Sequence, residues 1–279
     1  MKSTRAFAPG NISCIFVIRK GNSPAKTGSL GLGFTVDKGV IVTIRKKNNN
    51  KKNTILFNKK KINLPTVNSV IQKLTNEKVI VNIESKLPLG YGFGISGAAA
   101  LATSYALDKL FNMKGSKKSL AMIAHTAEVE NGTGLGDVAN QHYGGFLIKY
   151  KPSYTFKVKK IPINNKKIYY RYFSSINTKK IISNKKIKNK INNSGIKALN
   201  KIKALNKKNF NLKNLIKISK EFSINSGLLK SKKTINIIKN IENKDGNASM
   251  IMLGNSVFSD IYFKGSKELI IKDKSACLL

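Results

Sequence analysis

The chain has 279 residues, 41% of them hydrophobic, and a formal net charge of +39 at pH 7. That length and apolar content suit two domain-sized cores and exclude a disordered or fibrous chain. The longest apolar run, around Gly97 to Leu107, is too short for a membrane span, which takes roughly 20 residues, and Cys14 and Cys277, far apart, make neither a disulfide framework nor a zinc site. From the N-terminus, residues 4–8 and 12–19 predict two short strands around a Pro9-Gly10 turn, which also breaks the continuity that a secretion signal needs. The expectation is an unprocessed, cytoplasmic protein. Gly21 to Gly33 is rich in Gly, Ser and Pro and reads as a loop. Val40–Ile44 and Thr54–Phe57, separated by the polar interval 46–53, predict a hairpin. Val67 to Leu74 has helical spacing, and Val79 to Ile83 predicts a strand leading into a glycine-rich loop. A buried helix then runs from Ser96 to Phe111, and Leu120 to Glu130 predicts a second. Composition shifts near Pro152, dividing the chain into 1–152 and 153–279. The second part carries charge-rich strands, lysine-rich amphipathic helices such as Leu212 to Phe222, and a closing helix-strand pair within Ala248 to Phe263.

So large a basic excess ordinarily points to nucleic acid or an anionic membrane surface. Here only Arg5, Arg19, Arg45 and Arg171 supply guanidinium; the rest is lysine, travelling with asparagine and isoleucine. That combination reads as compositional bias in the coding sequence and leaves a solvated basic surface. Nucleic-acid binding needs aromatics interleaved with the charge. Tyr169, Tyr170 and Tyr172 beside Arg171 are the local candidates, and they alternate as a strand does.

The stretch Leu89 to Leu101, LGYGFGISGAAAL, contains Gly92, Gly94 and Gly97 in G-x-G-x-x-G spacing. A dinucleotide fold would follow it with a second strand ending in a carboxylate about 20 positions on, and the chain continues instead in helical spacing. A Walker loop needs lysine after its last glycine, where Ala98 stands. What both loops share remains: glycines admit an anion close to the backbone, and unpaired N–H groups at the start of the following helix hold phosphate. Ser96 is placed to cap that helix or to offer its hydroxyl to a phosphate or metal ion.

Pro88-Leu-Gly90-Tyr-Gly92-Phe-Gly94-Ile95-Ser96-Gly97-Ala98 resembles the second motif of the GHMP kinases, P-x-x-x-G-L-G-S-S-A-A. AFAPGNIS at Ala6 to Ser13 is similar to that superfamily's first motif. Together with AHTAEVENGTGLGDVANQHYGG and ASMIMLGNSVF, the pattern is most similar to the archaeal pantoate kinase branch, over the first 145 residues plus Ala248 to Phe258. The resemblance implies an α+β, two-domain fold: a ribosomal-protein-S5-domain-2-like N-terminal domain and a C-terminal ferredoxin-like α/β domain. It also implies ATP and Mg²⁺, with Pro88, Gly90, Gly92, Gly94, Ile95, Ser96, Gly97 and Ala98 around the nucleotide phosphates. The activity implied is phosphorylation of (R)-pantoate to (R)-4-phosphopantoate for coenzyme A synthesis. Homoserine, shikimate or mevalonate kinases share the loop and remain alternatives, as does a non-catalytic RNA-binding protein on the same fold. The expected partners are ATP and a small acceptor, with room for a homodimer and no membrane.

Of only 13 acidic residues, Glu128, Glu130 and Asp137 fall within ten positions. Such a cluster suits phosphoryl transfer, in which Mg²⁺ takes hard oxygen ligands and a carboxylate receives or positions the acceptor's proton. By the resemblance, Asp137, seven residues before Gly144-Gly145, is the base, and Glu128 with Ser96 the metal site. Glu130 is the alternative ligand; on a helix it points away from Glu128, so at most one of the two coordinates. Asn11 stands where many superfamily members carry lysine. The third motif keeps only Gly254, with Met250 and Met252 in an apolar run. Arg19 is the candidate partner for the substrate carboxylate, and His125 and His142 read as packing or hydrogen-bonding residues.

Overall fold

The computed structural model describes residues 3–47, 52–206 and 209–279. Its centre is a long pair of antiparallel strands, β1 (Ser3–Arg19) and β2 (Gly28–Lys46). The residues expected to turn at Pro9-Gly10 lie within β1: the chain passes them on register shifts between Pro9 and Asn11 and between Ser13 and Ile15. A bulge places unpaired residues in a continuing strand and bends it, so proline and glycine are tolerated there without ending it. The loop expected over Gly21–Gly33 is confined to residues 21–27, with a short 3₁₀ turn at Pro24–Lys26, because β2 already begins at Gly28.

The predicted hairpin does not form. β3 (Thr54–Phe57) turns back through β4 (Lys60–Lys61) and joins the sheet beside β5 (Val79–Ser85), in parallel, while β5 takes the place next to β2. Between them α1 (Pro65–Leu74) supplies the crossover that a parallel pair requires. After β5 and the glycine loop come α2 (Ile95–Phe111), α3 (Lys117–Asn131) and α4 (Asp137–Tyr143). α2 is apolar on every side and buried along most of its length, as a helix enclosed by a sheet and by α1, α3 and α4 must be. β6 (Phe146–Lys149) then pairs with the first half of β2, and β7 (Lys159–Ile161) pairs with β6.

A second antiparallel sheet follows, β11-β8-β10-β9, from β8 (Lys167–Ser175), β9 (Ala248–Met250), β10 (Gly254–Ser259) and β11 (Lys267–Ile270). Four helices precede β9: α5 (Thr178–Ser183), α6 (Lys185–Ala204), α7 (Leu212–Asn225) and α8 (Lys232–Glu242). β12 (Cys277–Leu278) returns to the edge of the first sheet against β1. The closing segment is therefore the β9–β10 hairpin in place of the expected helix-strand pair; Leu253, with φ of 61°, turns the chain. The tyrosines of 169–172 sit in β8 as expected, with Tyr170 2% exposed.

Helices α6 and α7 pack against the second half of β1. A Cβ on Gly195 of α6 would stand 2.6 Å from the Phe16 carbonyl, so glycine lets the helix reach the strand backbone. Phe222 of α7 meets Phe16 edge-on at 5.7 Å, and Ser219 donates to the Cys14 carbonyl at 3.0 Å. Phe34 of β2 contacts both Phe146 of β6, at 5.0 Å, and Phe258 of β10, at 5.7 Å, which couples the two sheets through one aromatic cluster. Among the described residues no helix is long and apolar enough to cross a membrane.

Candidate active site

One cleft collects most of the singled-out residues. Its walls are the glycine loop and the start of α2, the 133–137 segment with Glu128 behind it, Ser13 and Phe16 of β1, and Ile182 of α5. Gly90, Gly92 and Gly94 have φ of 87°, 90° and 62°, a region that disfavours any side chain. At Gly92 space is also lacking, since a Cβ would stand 2.8 Å from the Met252 carbonyl of the β9–β10 turn.

Gly94, in the left-handed conformation, is the residue that caps α2, and having no side chain it leaves the first N–H groups of the helix without a side-chain cap. Ala98 N already donates to the Gly94 carbonyl at 3.0 Å, so the donors without a helical partner belong to Ile95, Ser96 and Gly97. Pro88, at the start of the loop, and Ala98 do not line the cleft, and the side chains of Ile95 and Ala98 are buried. Ser96 does not act as the cap. Its hydroxyl donates to Thr66 Oγ1 at 3.3 Å, Thr66 lies 3.0 Å from Thr133 Oγ1, and Thr133 donates to Glu128 Oε1 at 2.8 Å. Three hydroxyls thus link the start of α2 to the carboxylate.

Glu128 is 1% exposed. Burial, and then the neighbouring charge of Asp137, push its carboxyl up to about 8, against the opposing hydrogen bonds from Thr133 and Ser96. Its Oε2 lies where two glycines leave room: a Cβ would stand 2.8 Å away on Gly97 and 2.1 Å away on Gly134. Glu130 is elsewhere, on the exposed face of α3, paired with Lys73 at 2.8 Å.

Asp137 opens α4, where an acid is favoured by the helix dipole. Its Oδ1 accepts from Asn11 Nδ2 at 2.6 Å and from Ser13 Oγ at 3.1 Å. Asn11 thus occupies the place of the absent lysine and aims the carboxylate. Burial raises the Asp137 carboxyl above its ordinary range, while the Lys149 charge and the two hydrogen bonds pull it back.

Lys149, at the end of β6, was not singled out by sequence. It is 4% exposed and donates to Asn140 Oδ1 at 2.6 Å and to the Gly136 carbonyl at 3.4 Å. Asn140 in turn donates to Asn11 Oδ1 at 2.9 Å, closing a polar network around Asp137. Burial lowers the ammonium to about 8, with Asp137 opposing. In a chain with 52 Lys and Arg one lysine carries no signal of its own; its place in the apolar strand FLIK was the only clue. Arg19 is exposed at the far end of β1 and does not line the cleft. His125 is buried and donates from Nε2 to the Thr27 carbonyl at 2.9 Å, with burial holding it below the usual imidazole range. His142 lies 3.0 Å from the Tyr105 hydroxyl, outside the cleft. Both serve packing and hydrogen bonding.

The chain is similar to known proteins along most of its length. Residues 62–145 match the GHMP kinases N terminal domain. Over 259 residues, 90% of each chain, the protein is 38% identical to the pantoate kinase of Methanocaldococcus jannaschii. It is 31% identical over 268 residues to that of Methanospirillum hungatei, covering 93% of this chain and 88% of the other. A solved structure described as a phosphotransferase related to the CoA biosynthesis pathway superposes with a TM-score of 0.85 over 99% of this chain and 98% of the other, at 24% identity. The α+β fold with its two sheets is that of the superfamily, and the chain belongs to the pantoate kinase family of GHMP kinases.

Proposed function

We propose that the protein is an ATP-dependent kinase for (R)-pantoate, producing (R)-4-phosphopantoate for coenzyme A synthesis. The observation that carries the reading is Asp137: a half-buried carboxylate at the cleft, aimed by Asn11 and Ser13, facing the unpaired start of α2 in a chain of this family. The nucleotide phosphates rest on Gly90 to Gly94 and on the N–H groups of Ile95, Ser96 and Gly97. The acceptor hydroxyl stands against Asp137, which takes its proton as the oxygen bonds to the γ-phosphorus and the bond to the β-phosphate oxygen breaks, releasing ADP. A raised carboxyl pKa makes a better proton acceptor near neutral pH. Lys149 supplies the buried positive charge that keeps Asp137 ionised and offsets an anionic acceptor; Arg19 is not needed for either task.

Mg²⁺ fits the oxygen set at the start of α2. Glu128 Oε2 and the Ser96 hydroxyl are hard donors, and Gly97 and Gly134 leave space beside the carboxylate. Bound there, the ion would neutralise charge on the transferring phosphates. Residues 1–152 contribute the loop, the carboxylates and Lys149, and residues 153–279 close the cleft through Ile182 and the β9–β10 turn. The test is ADP release by the purified protein with Mg-ATP and (R)-pantoate, homoserine, mevalonate or shikimate. Turnover confined to pantoate is expected. Preference for another acceptor would retain the kinase and overturn the substrate.

A further inference from the structure

Among the four acceptors considered, pantoate is unusual in its carbon skeleton. Its reacting CH₂OH is attached to a quaternary carbon bearing two methyl groups, followed by a hydroxyl-bearing carbon and the carboxylate. Once the hydroxyl oxygen is set against Asp137 and the phosphate is on α2, the two methyls are fixed within a few ångströms of the base. They must meet whatever wall stands there.

That wall is apolar and drawn from three elements. Phe16 comes from β1, Leu135 from the segment between α3 and α4, and Ile182 from α5, all lining the cleft beside Ser13 and Asp137. Phe16 is held from behind by Phe222. Leu135 is fixed through its own carbonyl, which accepts from Ser29 Oγ at 3.4 Å and from Ser153 Oγ. The side chains of Leu135 and Ile182 are only half-buried and pack on the core from one side, leaving a face toward the cleft. Polar groups lie separately: a Cβ on Gly136 would stand 2.3 Å from Ser29 Oγ and 3.5 Å from Lys149 Nζ. The acceptor side is therefore split into an apolar half and a hydroxyl-bearing half with the Lys149 charge behind it, which matches the methyl-bearing half and the hydroxyl- and carboxylate-bearing half of pantoate.

Resting on the pantoate reading, we infer that Phe16, Leu135 and Ile182 form a subsite for the gem-dimethyl group, and that it distinguishes pantoate from unbranched hydroxy acids. An apolar pocket discriminates one missing methyl or methylene by roughly 10- to 200-fold. The subsite holds the substrate's branch against the wall while leaving the phosphates and Asp137 untouched, so its contribution falls on the acceptor alone.

The experiment compares kcat/KM for (R)-pantoate with that for 2,4-dihydroxybutanoate, which keeps the hydroxyls and carboxylate and lacks both methyls. Wild type, Ile182→Ala and Leu135→Ala are each assayed at saturating Mg-ATP, and KM for ATP is measured alongside. The wild type is expected to prefer pantoate by on the order of 10²-fold. Each variant should lose about tenfold on pantoate and less than twofold on the unbranched acid, with KM for ATP unchanged. A structural defect lowers both acceptors equally, so an unchanged ratio in both variants overturns the subsite while leaving the pantoate reading intact. Absence of pantoate turnover by the wild type overturns both.

Discussion

Asp137 is useful as a base because three neighbours oppose the effect of its burial: Lys149, Asn11 and Ser13 each favour the ionised form. Asp137→Asn keeps the shape and removes the proton acceptor; turnover is expected to fall on the order of 10²- to 10⁴-fold with nucleotide affinity retained, read from steady-state rates and ATP titration. Lys149→Met acts on the same group at a distance. Losing the adjacent positive charge disfavours the carboxylate, so the acid limb of the kcat–pH profile should move to higher pH; a limb that stays in place would contradict the pairing. Glu128 gives the opposite kind of test, in stability. Its carboxyl is near 8 in the folded protein against 4.5 for the ordinary group. Between those values the folded state keeps a proton that the unfolded chain releases, so stability is lost as pH rises across the window. In EDTA, Glu128→Gln should remove that loss, and its Tm advantage over the wild type should grow from pH 5 to pH 8.

The start of α2 works because glycines on two elements leave room for one carboxylate. A Cβ on Gly134 would fall 2.1 Å from Glu128 Oε2, displacing it. Gly134→Ala is therefore expected to destabilise the fold by about 1–3 kcal/mol, as overpacking does, and to weaken Mg-ATP binding, both measurable by urea unfolding and calorimetric titration. The glycine loop, α2, α3 and the Asp137 segment were legible in the sequence because they depend on local spacing and turn chemistry. The strand pairings were not. Val40–Ile44 and Thr54–Phe57 read as a hairpin because they are adjacent in the chain, yet β5, arriving after α1, takes the intervening place. Pro9-Gly10 read as a turn because bulge and turn use the same residues, and only the partner strand decides between them. Met250 to Phe258 forms no helix because its apolar residues satisfy a strand beside β8 equally well, a choice made by tertiary packing. Lys149 was hidden by number, and becomes visible only when the fold places it beside Asn140 and Gly136.

With 52 basic and 13 acidic side chains, the molecule works against its own charge. Eight of its 13 carboxylates fall into two uses. Glu128, buried, and Asp137, half-buried, stand at the cleft, whereas Glu77, Glu130, Glu221, Glu242, Glu268 and Asp273 each meet a lysine at the surface. Exposed pairs of that kind contribute about 0–1 kcal/mol each, and six of them do not offset repulsion among the many lysines left over. Salt acts on attraction and repulsion alike. It weakens the surface pairs slightly and screens the repulsion strongly, since the Debye length falls from about 10 Å at 0.1 M to about 3 Å at 1 M. Repulsion outweighs the pairs here, so raising NaCl from about 0.05 to about 0.5 M should raise Tm, by about 2–4 °C for each kcal/mol recovered. The same field draws anions to the cleft, and screening it slows their approach. Over that salt range kcat/KM for ATP and for pantoate should therefore fall while Tm rises. A Tm that falls with kcat/KM would mean that the surface ion pairs, and not the repulsion between lysines, dominate the electrostatics of the folded chain.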